Sequence, residues 1–282
     1  GYGGGYGYLL LAQKTAKRLE EIDRSLKCLS IREYGKRLRG FLNKRTAAEN
    51  NNFIERICLY MDANMKAVIS GRIERTAENL RRNNMEVYIA ENSSEAVRII
   101  EGLLKEGETI SCGGSATLAE SGVTELMRSG KYNFIDRSKA ESREETEELY
   151  RKAFFADTYL TSANAVTENG ELYNVDGNSN RVAAICYGPE SVIFIVGINK
   201  IVRDLDEAVK RVKTCAAPAN CIRLGCDTPC SKTGECISLK KGGDMPSGCA
   251  SEGRVCCNYL VSSWQRKKNR FKVIIVKEVL GY

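Results

Sequence analysis

The chain has no histidine in 282 residues. Histidine is the side chain whose ordinary titration lies nearest neutral pH. Its absence removes the usual acid–base group, so any catalysis must rest on Asp, Glu, Lys, Cys, Tyr or a bound cofactor. A metal site would have to use thiolate, carboxylate or backbone. Long apolar runs are also missing. No stretch approaches the ~20 residues that a membrane helix needs. Leu9-Leu10-Leu11 is too short for the core of a secretory signal, and no basic segment precedes it. A cytoplasmic protein without a membrane span is the expectation. No internal repeat is apparent.

Net charge is scarce outside the first sixty residues. Residues 1–60 hold twelve Lys and Arg against six Asp and Glu, which is six of the seven net positive charges. The remainder is almost neutral, so nucleic acid is not an expected partner of the main domain. The basic N-terminal excess reads either as a solvated helical face or as a surface for an acidic partner. Methionine is absent before Met61. The segment opens with a Gly/Tyr-rich run, and Leu19, Ile22, Leu26 and Leu29 recur at helical spacing, which predicts a helix from about Leu10 to Leu29. Two readings stand for residues 1–60: an extension upstream of a start at Met61 or Met65, or a genuine helical arm. The first is the expectation.

From Met65 onward helical and strand patterns alternate. Helices are expected over Arg72–Asn83, Ser93–Leu104, Ser115–Ser129, Ser142–Phe155 and Asp204–Lys213. Ser94 is the expected start of the second, and Ser142-Arg-Glu-Glu has the pattern of a capping box. Strands are expected over Glu86–Ala90, Glu108–Cys112, Tyr132–Asp136, Ala156–Val166, Ser191–Val196 and Phe271–Val276. This alternation predicts an α/β fold, with a parallel-rich sheet and helices on both faces.

The apolar strands Ala156–Val166 and Ser191–Val196 run out into polar residues next to glycine, and strand ends of this kind hold ligands in open α/β sheets. Asn164, Asn174, Asn178, Asn180 and Arg181 are costly to bury without partners. They suit a polar ligand or a network that fixes loops. Asp176-Gly177 reads as turn or as site, and Gly197, Asn199 and Lys200 end the next strand. Lys200 would either pair with an anion or point to solvent. Gly113, Gly114, Ser115 and Thr117 join a strand to a helix, where glycines permit close backbone approach to an anion. A tight turn needs the same residues. Glu168, in Thr-Glu-Asn-Gly, is the best nucleophile or general-base candidate. Glu-Asn-Gly is equally an ordinary hairpin signal.

Cysteine is abundant, with twelve residues in all. Eight of them crowd into 215–257: Cys215, Cys221, Cys226, Cys230, Cys236, Cys249, Cys256 and Cys257. Without a secretory signal, metal or cluster ligation is the physical alternative to disulfides. Cys230, Cys236, Cys249 and Cys256 are the preferred four thiolates, with Cys226 and Cys257 in reserve. Adjacent Cys256 and Cys257 should point apart, so only one of them should ligate. Zinc and an iron–sulfur cluster both suit such a set, and free thiols remain the alternative. The other thiols (Cys28, Cys58, Cys112, Cys186) read as unligated, with Cys186 in an apolar helical pattern.

Several of these motifs together carry a family resemblance. They are Cys112-Gly-Gly-Ser-Ala-Thr-Leu, the run from Thr161 through Asn-Gly-Glu-Leu-Tyr-Asn-Val-Asp-Gly to Arg181, Gly197-Ile-Asn-Lys-Ile-Val, and Thr228-Pro-Cys-Ser-Lys-Thr-Gly-Glu-Cys. From about Arg72 to Tyr282 the chain resembles the LUD (lactate-utilisation) domain family, in particular the lactate utilisation protein B/C group. The resemblance implies the fold shared by ribose-5-phosphate isomerase, glucosamine-phosphate deaminase and CoA transferases. It implies a cysteine-rich segment at 215–270 inserted in one domain formed by 61–214 and 271–282. The family spacing puts a short spacer between the second and third cysteines; here twelve residues separate Cys236 from Cys249. The implied function is that of a component of a lactate or related 2-hydroxy-acid oxidation system. Such a component would bind a small anionic metabolite or cofactor and work with iron–sulfur oxidoreductase subunits. Two alternatives remain open. One is a sugar-phosphate or acyl-CoA enzyme using Glu168. The other is a non-catalytic, zinc-stapled assembly subunit.

Overall fold

Six short apolar runs form one all-parallel sheet in the order β1–β10–β7–β4–β2–β3. These strands are β1 (Glu86–Ala90), β2 (Thr109–Cys112), β3 (Asn133–Ile135), β4 (Thr158–Thr161), β7 (Ser191–Gly197) and β10 (Phe271–Val276). The computed structural model describes residues 63–282. The helix expected at Leu10–Leu29, Cys28 and Cys58 lie outside the described residues. β7 and β10 are buried along almost their whole length, which is why they read as continuous apolar runs rather than as alternating ones. Helices cover both faces. Val192, Phe194 and Val196 pack with Ile73, Ala77 and Leu80 of α1 (Ala63–Arg82) on one side. Ile193 and Ile195 pack on the other with Ala96 and Ile100 of α2 (Ser93–Leu103), and with Leu118 of α3 (Ala116–Glu120) and Val123 of α4 (Val123–Met127). Phe194 and Phe271 meet edge to face with ring centroids 5.1 Å apart. Residues 67–282, the cysteine-rich segment included, form one compact unit.

Local chemistry explains where the elements differ from expectation. α2 is capped by Asn92, whose Oδ1 accepts the Glu95 amide at 3.0 Å, so the helix starts ahead of Ser94. The single helix expected at Ser115–Ser129 is two, because Gly122 takes a left-handed φ of 78° between α3 and α4. α5 (Arg143–Lys152) is capped by Ser142 as expected, although Glu145 takes the amide of Glu141 rather than that of the cap.

The strand expected at Ala156–Val166 divides after Thr161. Its second part, β5 (Ala165–Thr167), belongs to a four-stranded sheet in the order β8–β5–β6–β9, with β6 (Leu172–Asp176), β8 (Ile201–Val202) and β9 (Asn258–Ser262). β5 and β6 form an antiparallel hairpin whose turn contains Glu168, Asn169 and Gly170. Gly170 has φ 86°, and a Cβ there would lie 2.5 Å from the Asn79 carbonyl carbon of α1. Gly170→Ala is therefore expected to cost at least ~2 kcal/mol, from backbone strain and collision together. Gly102→Ala, exposed in α2 with nothing near its Cβ, should instead gain up to ~1 kcal/mol. Urea denaturation of the two variants checks both signs.

The second sheet packs on a third core. There Tyr173, Val175 and Val202 meet Ala208 of α7 (Leu205–Arg211) and Val212 of the π-helical turn Val212–Ala216. α8 (Ala217–Arg223) and α9 (Pro229–Thr233) then carry Cys221 and Cys230, Cys236 caps α10 (Ile237–Lys240), and Cys249, Cys256 and Cys257 follow it. Among the described residues no helix is long and apolar enough to cross a membrane.

Candidate functional site

Beyond the carboxyl ends of the parallel strands lies a cleft of about 450 Å³. Parallel strands end together here, and their following loops converge. The loop after β2 supplies Gly114, Ser115 and Thr117; the loop after β4 supplies Ser162 and Asn164. Asp176, Gly177, Asn180 and Arg181 come from the passage out of β6 into α6 (Asn180–Tyr187), and Lys200 from the turn after β7.

Arg181 organises the wall. Its Nε donates to Asp176 Oδ1 at 2.8 Å, Nη1 to the Ser162 carbonyl at 3.2 Å, and Nη2 to Asn164 Oδ1 at 2.7 Å and the Val175 carbonyl at 2.8 Å. Asp176 Oδ2 also accepts the Val182 amide at 2.9 Å, and Asn164 Oδ1 the Val175 amide at 2.9 Å. Arg181 is thus committed to the protein. Arg137 is not. Its guanidinium lies over the Tyr150 ring at 5.7 Å, donates to the Tyr150 hydroxyl at 3.3 Å, and has no acidic partner among the described residues. It crosses Gly114 so closely that a Cβ there would stand 2.1 Å from Nη2, so a side chain at that position would push the guanidinium aside.

Lys200 is 3 % exposed. Its Nζ donates to Thr117 Oγ1 at 2.7 Å and Ser162 Oγ at 2.9 Å, with no carboxylate in ion-pair range among the described residues. Burial, reinforced by Arg211 and Arg181, pushes its pKa down to about 7. Burial likewise pushes the Cys112 thiol up to about 11.

The structure brings ten of the fifteen residues expected at a ligand site to the cleft, Asn178 among them, and leaves five elsewhere. Gly113 backs it against Tyr159 and Arg181. Gly197 and Asn199 hold the C-terminal tail: Asn199 Nδ2 donates to the Gly281 carbonyl at 3.0 Å, and its Oδ1 accepts the Leu280 amide at 3.1 Å. Asn174 is fully buried in β6, with neither side-chain polar atom bonded among the described residues. Glu168 sits in the hairpin turn, paired with Arg72 at 2.6 Å and Arg75 at 3.0 Å of α1, and does not line the cleft. Arg137, Ser162, Arg223, Arg254 and Tyr282 line it without having been singled out. Ser162 lies inside a quoted motif. Arg137 follows β3, and no local spacing marks it.

A second cavity, of about 20 Å³, is lined by Cys230, Cys236, Cys249 and Cys256 together with Lys213. Lys213 is buried, and its ammonium donates to Ser238 Oγ at 3.0 Å and to the Asp244 and Ser247 carbonyls at 2.5 and 2.7 Å. Cys256 faces this cavity and the cleft alike, whereas Cys257 is exposed. Cys221 Sγ lies 3.8 Å from Cys230 Sγ, and Cys226 lines the large cleft. Cys186 is exposed on α6, off its apolar face. Among the described residues no three such side chains are already closed around one point as metal ligands.

A helix-flanked parallel sheet with a cationic cleft at its strand ends defines an α/β domain of the kind that carries its site on strand-end loops. The chain belongs to the LUD domain family, whose model matches residues 73–276, and is in that general sense a lactate-utilisation-related protein. No curated protein matches it. Among solved structures it is similar to a DUF162 family protein from Deinococcus radiodurans, with 14% identity over 74% of this chain and 97% of that one, at a TM-score of 0.43. It is also similar to eIF2B delta from Chaetomium thermophilum, with 20% identity over 42% of this chain and 50% of that one, at a TM-score of 0.28.

Proposed function

We propose that the cleft binds a small organic anion, a 2-hydroxy or 2-oxo acid, within a lactate or related 2-hydroxy-acid oxidation system. The observation that carries this reading is charge. Five basic side chains line the cleft (Arg137, Arg181, Lys200, Arg223 and Arg254) against two acidic ones, Asp176 and Glu252. Arg137 alone among them combines a fixed charge, a stacked ring and, among the described residues, no acidic or backbone partner, so most of its planar fork is left for a carboxylate. Calorimetry with lactate, pyruvate and oxalate tests the reading. Arg137→Gln is expected to weaken the bound anion about tenfold or more, the loss of one charge-assisted pair. Unchanged affinity would remove Arg137 from the site, and no binding of any of the three would remove the reading.

The four thiols at the second cavity support a thiolate site, since they line one small space beside a buried cation that would offset thiolate charge. Cys230, Cys236, Cys249 and Cys256 would hold the group. An iron–sulfur cluster there would supply one-electron transfer, and a zinc ion would tie the segment together. Anaerobically purified protein is expected to carry about one zinc or one cluster per chain, and Cys230→Ser to release it. Metal analysis and an absorption spectrum check this; four freely reactive thiols in unoxidised protein would count against it.

A further inference from the structure

Lysine and arginine have separate duties in this cleft. Arginine keeps its charge and holds anions; lysine, when buried, gives up its proton and becomes a nucleophile. Arg137 has the features of the first. Lys200 has those of the second: it lines the cleft, is almost wholly buried and has no carboxylate in ion-pair range among the described residues. The charged and titratable groups that act on it most can be named. Arg211 and Arg181 oppose its ammonium form, while Glu120 and Cys215 favour it more weakly. Its two hydrogen-bond partners, Thr117 and Ser162, are hydroxyls that also line the cleft. A hydroxyl both donates and accepts, so it can pass a proton between an amine and a departing oxygen. A lysine meant only to attract anions gains nothing from such burial.

We propose that Lys200 is a nucleophilic amine that condenses with the ketone of a 2-oxo acid held in the cleft, with Thr117 and Ser162 relaying protons. The proposal rests on the anion reading given above and narrows it to carbonyl-bearing acids. In the step, the Nζ lone pair attacks carbon 2 and a C–N bond forms. The carbonyl electron pair moves to oxygen, which takes a proton through one of the hydroxyls. The nitrogen then loses its remaining protons to the relay, the C–O bond breaks, and that oxygen leaves as water. Amine plus ketone gives imine plus water, with no change of oxidation state and no further reactant.

The test uses the full chain, pyruvate as probe and cyanoborohydride as trap, with the labelled peptide mapped by mass spectrometry. One reduced adduct per chain at Lys200, absent with lactate and suppressed by oxalate, is the expected result. Lys200→Arg should abolish it. Thr117→Val and Ser162→Ala should slow trapping about tenfold at pyruvate concentrations that calorimetry shows to saturate each variant, which a loss of binding alone would not produce. Pyruvate that binds without label at Lys200, or label spread over surface lysines, overturns the imine and leaves the anion reading intact. Failure of both pyruvate and oxalate to bind overturns the two together.

Discussion

Replacing Arg181 with methionine is expected to destabilise the folded chain by about 3–5 kcal/mol, the range for breaking one side of a buried ion pair. The side chains of Arg181 and Asp176 are only 13% and 10% exposed. The guanidinium also serves Asn164 Oδ1 and the Ser162 and Val175 carbonyls, so its loss removes a donor from acceptors on two segments at once, the loop after β4 and the end of β6. Asp176 would keep a single amide donor, from Val182. Methionine fills similar volume but donates nothing. Lysine should recover little, because one ammonium cannot reach acceptors arranged for a planar fork. Arg143→Ala, at an exposed pair within α5, is the control and should cost no more than ~0.5 kcal/mol. Urea denaturation at neutral pH compares the three. An Arg181→Met cost as small as the control's would mean that water replaces the network and that the wall of the cleft is held by something else.

That network also marks how far the sequence could be read. Asn164, Asp176, Asn180 and Arg181 stood out because polar residues crowd between apolar strands, and they do meet at the cleft. What they do to one another was not legible, since Arg181 could equally have faced a ligand. The parallel strands were legible because burial on both faces writes itself as unbroken Val, Ile and Phe, as in Ser191–Gly197 and Phe271–Val276. The break after Thr161 was not, because Ser162 and Ala163 are as buried as the strands on either side. Glu168 shows the limit most clearly. Thr-Glu-Asn-Gly supports a turn and a reactive carboxylate alike, and the partners that tie it down, Arg72 and Arg75, lie more than ninety positions earlier. Local spacing cannot report that. The thiols were legible as a cluster by their density alone. The buried Lys213 beside them was not, because an Arg-Val-Lys helix end reads as a solvated face.

Lys200→Met is expected to change how stability depends on pH more than any other single substitution in the cleft. In the folded chain burial, with Arg211 and Arg181, lowers the lysine from its ordinary 10.5 to about 7. In the unfolded chain it returns to the ordinary value. Below about pH 7 both states carry the proton, so the folded state bears the whole cost of a buried ammonium. Between about 7 and 10.5 the unfolded chain binds a proton that the folded chain does not, and stability rises with pH. Above that window neither state is protonated, and the cost is gone. The drop corresponds to roughly 4–5 kcal/mol across the window, as an upper bound before relaxation and water entry. Methionine has no proton to lose. The stability difference between wild type and Lys200→Met should therefore shift in favour of wild type as pH is raised from about 6 to about 9, while surface groups common to both cancel. Parallel urea titrations at several pH values measure it. A difference that stays flat would mean that Lys200 keeps its charge when folded. It would then act in the cleft as a cation beside Arg137, and the amine chemistry argued for it would fail on that ground alone.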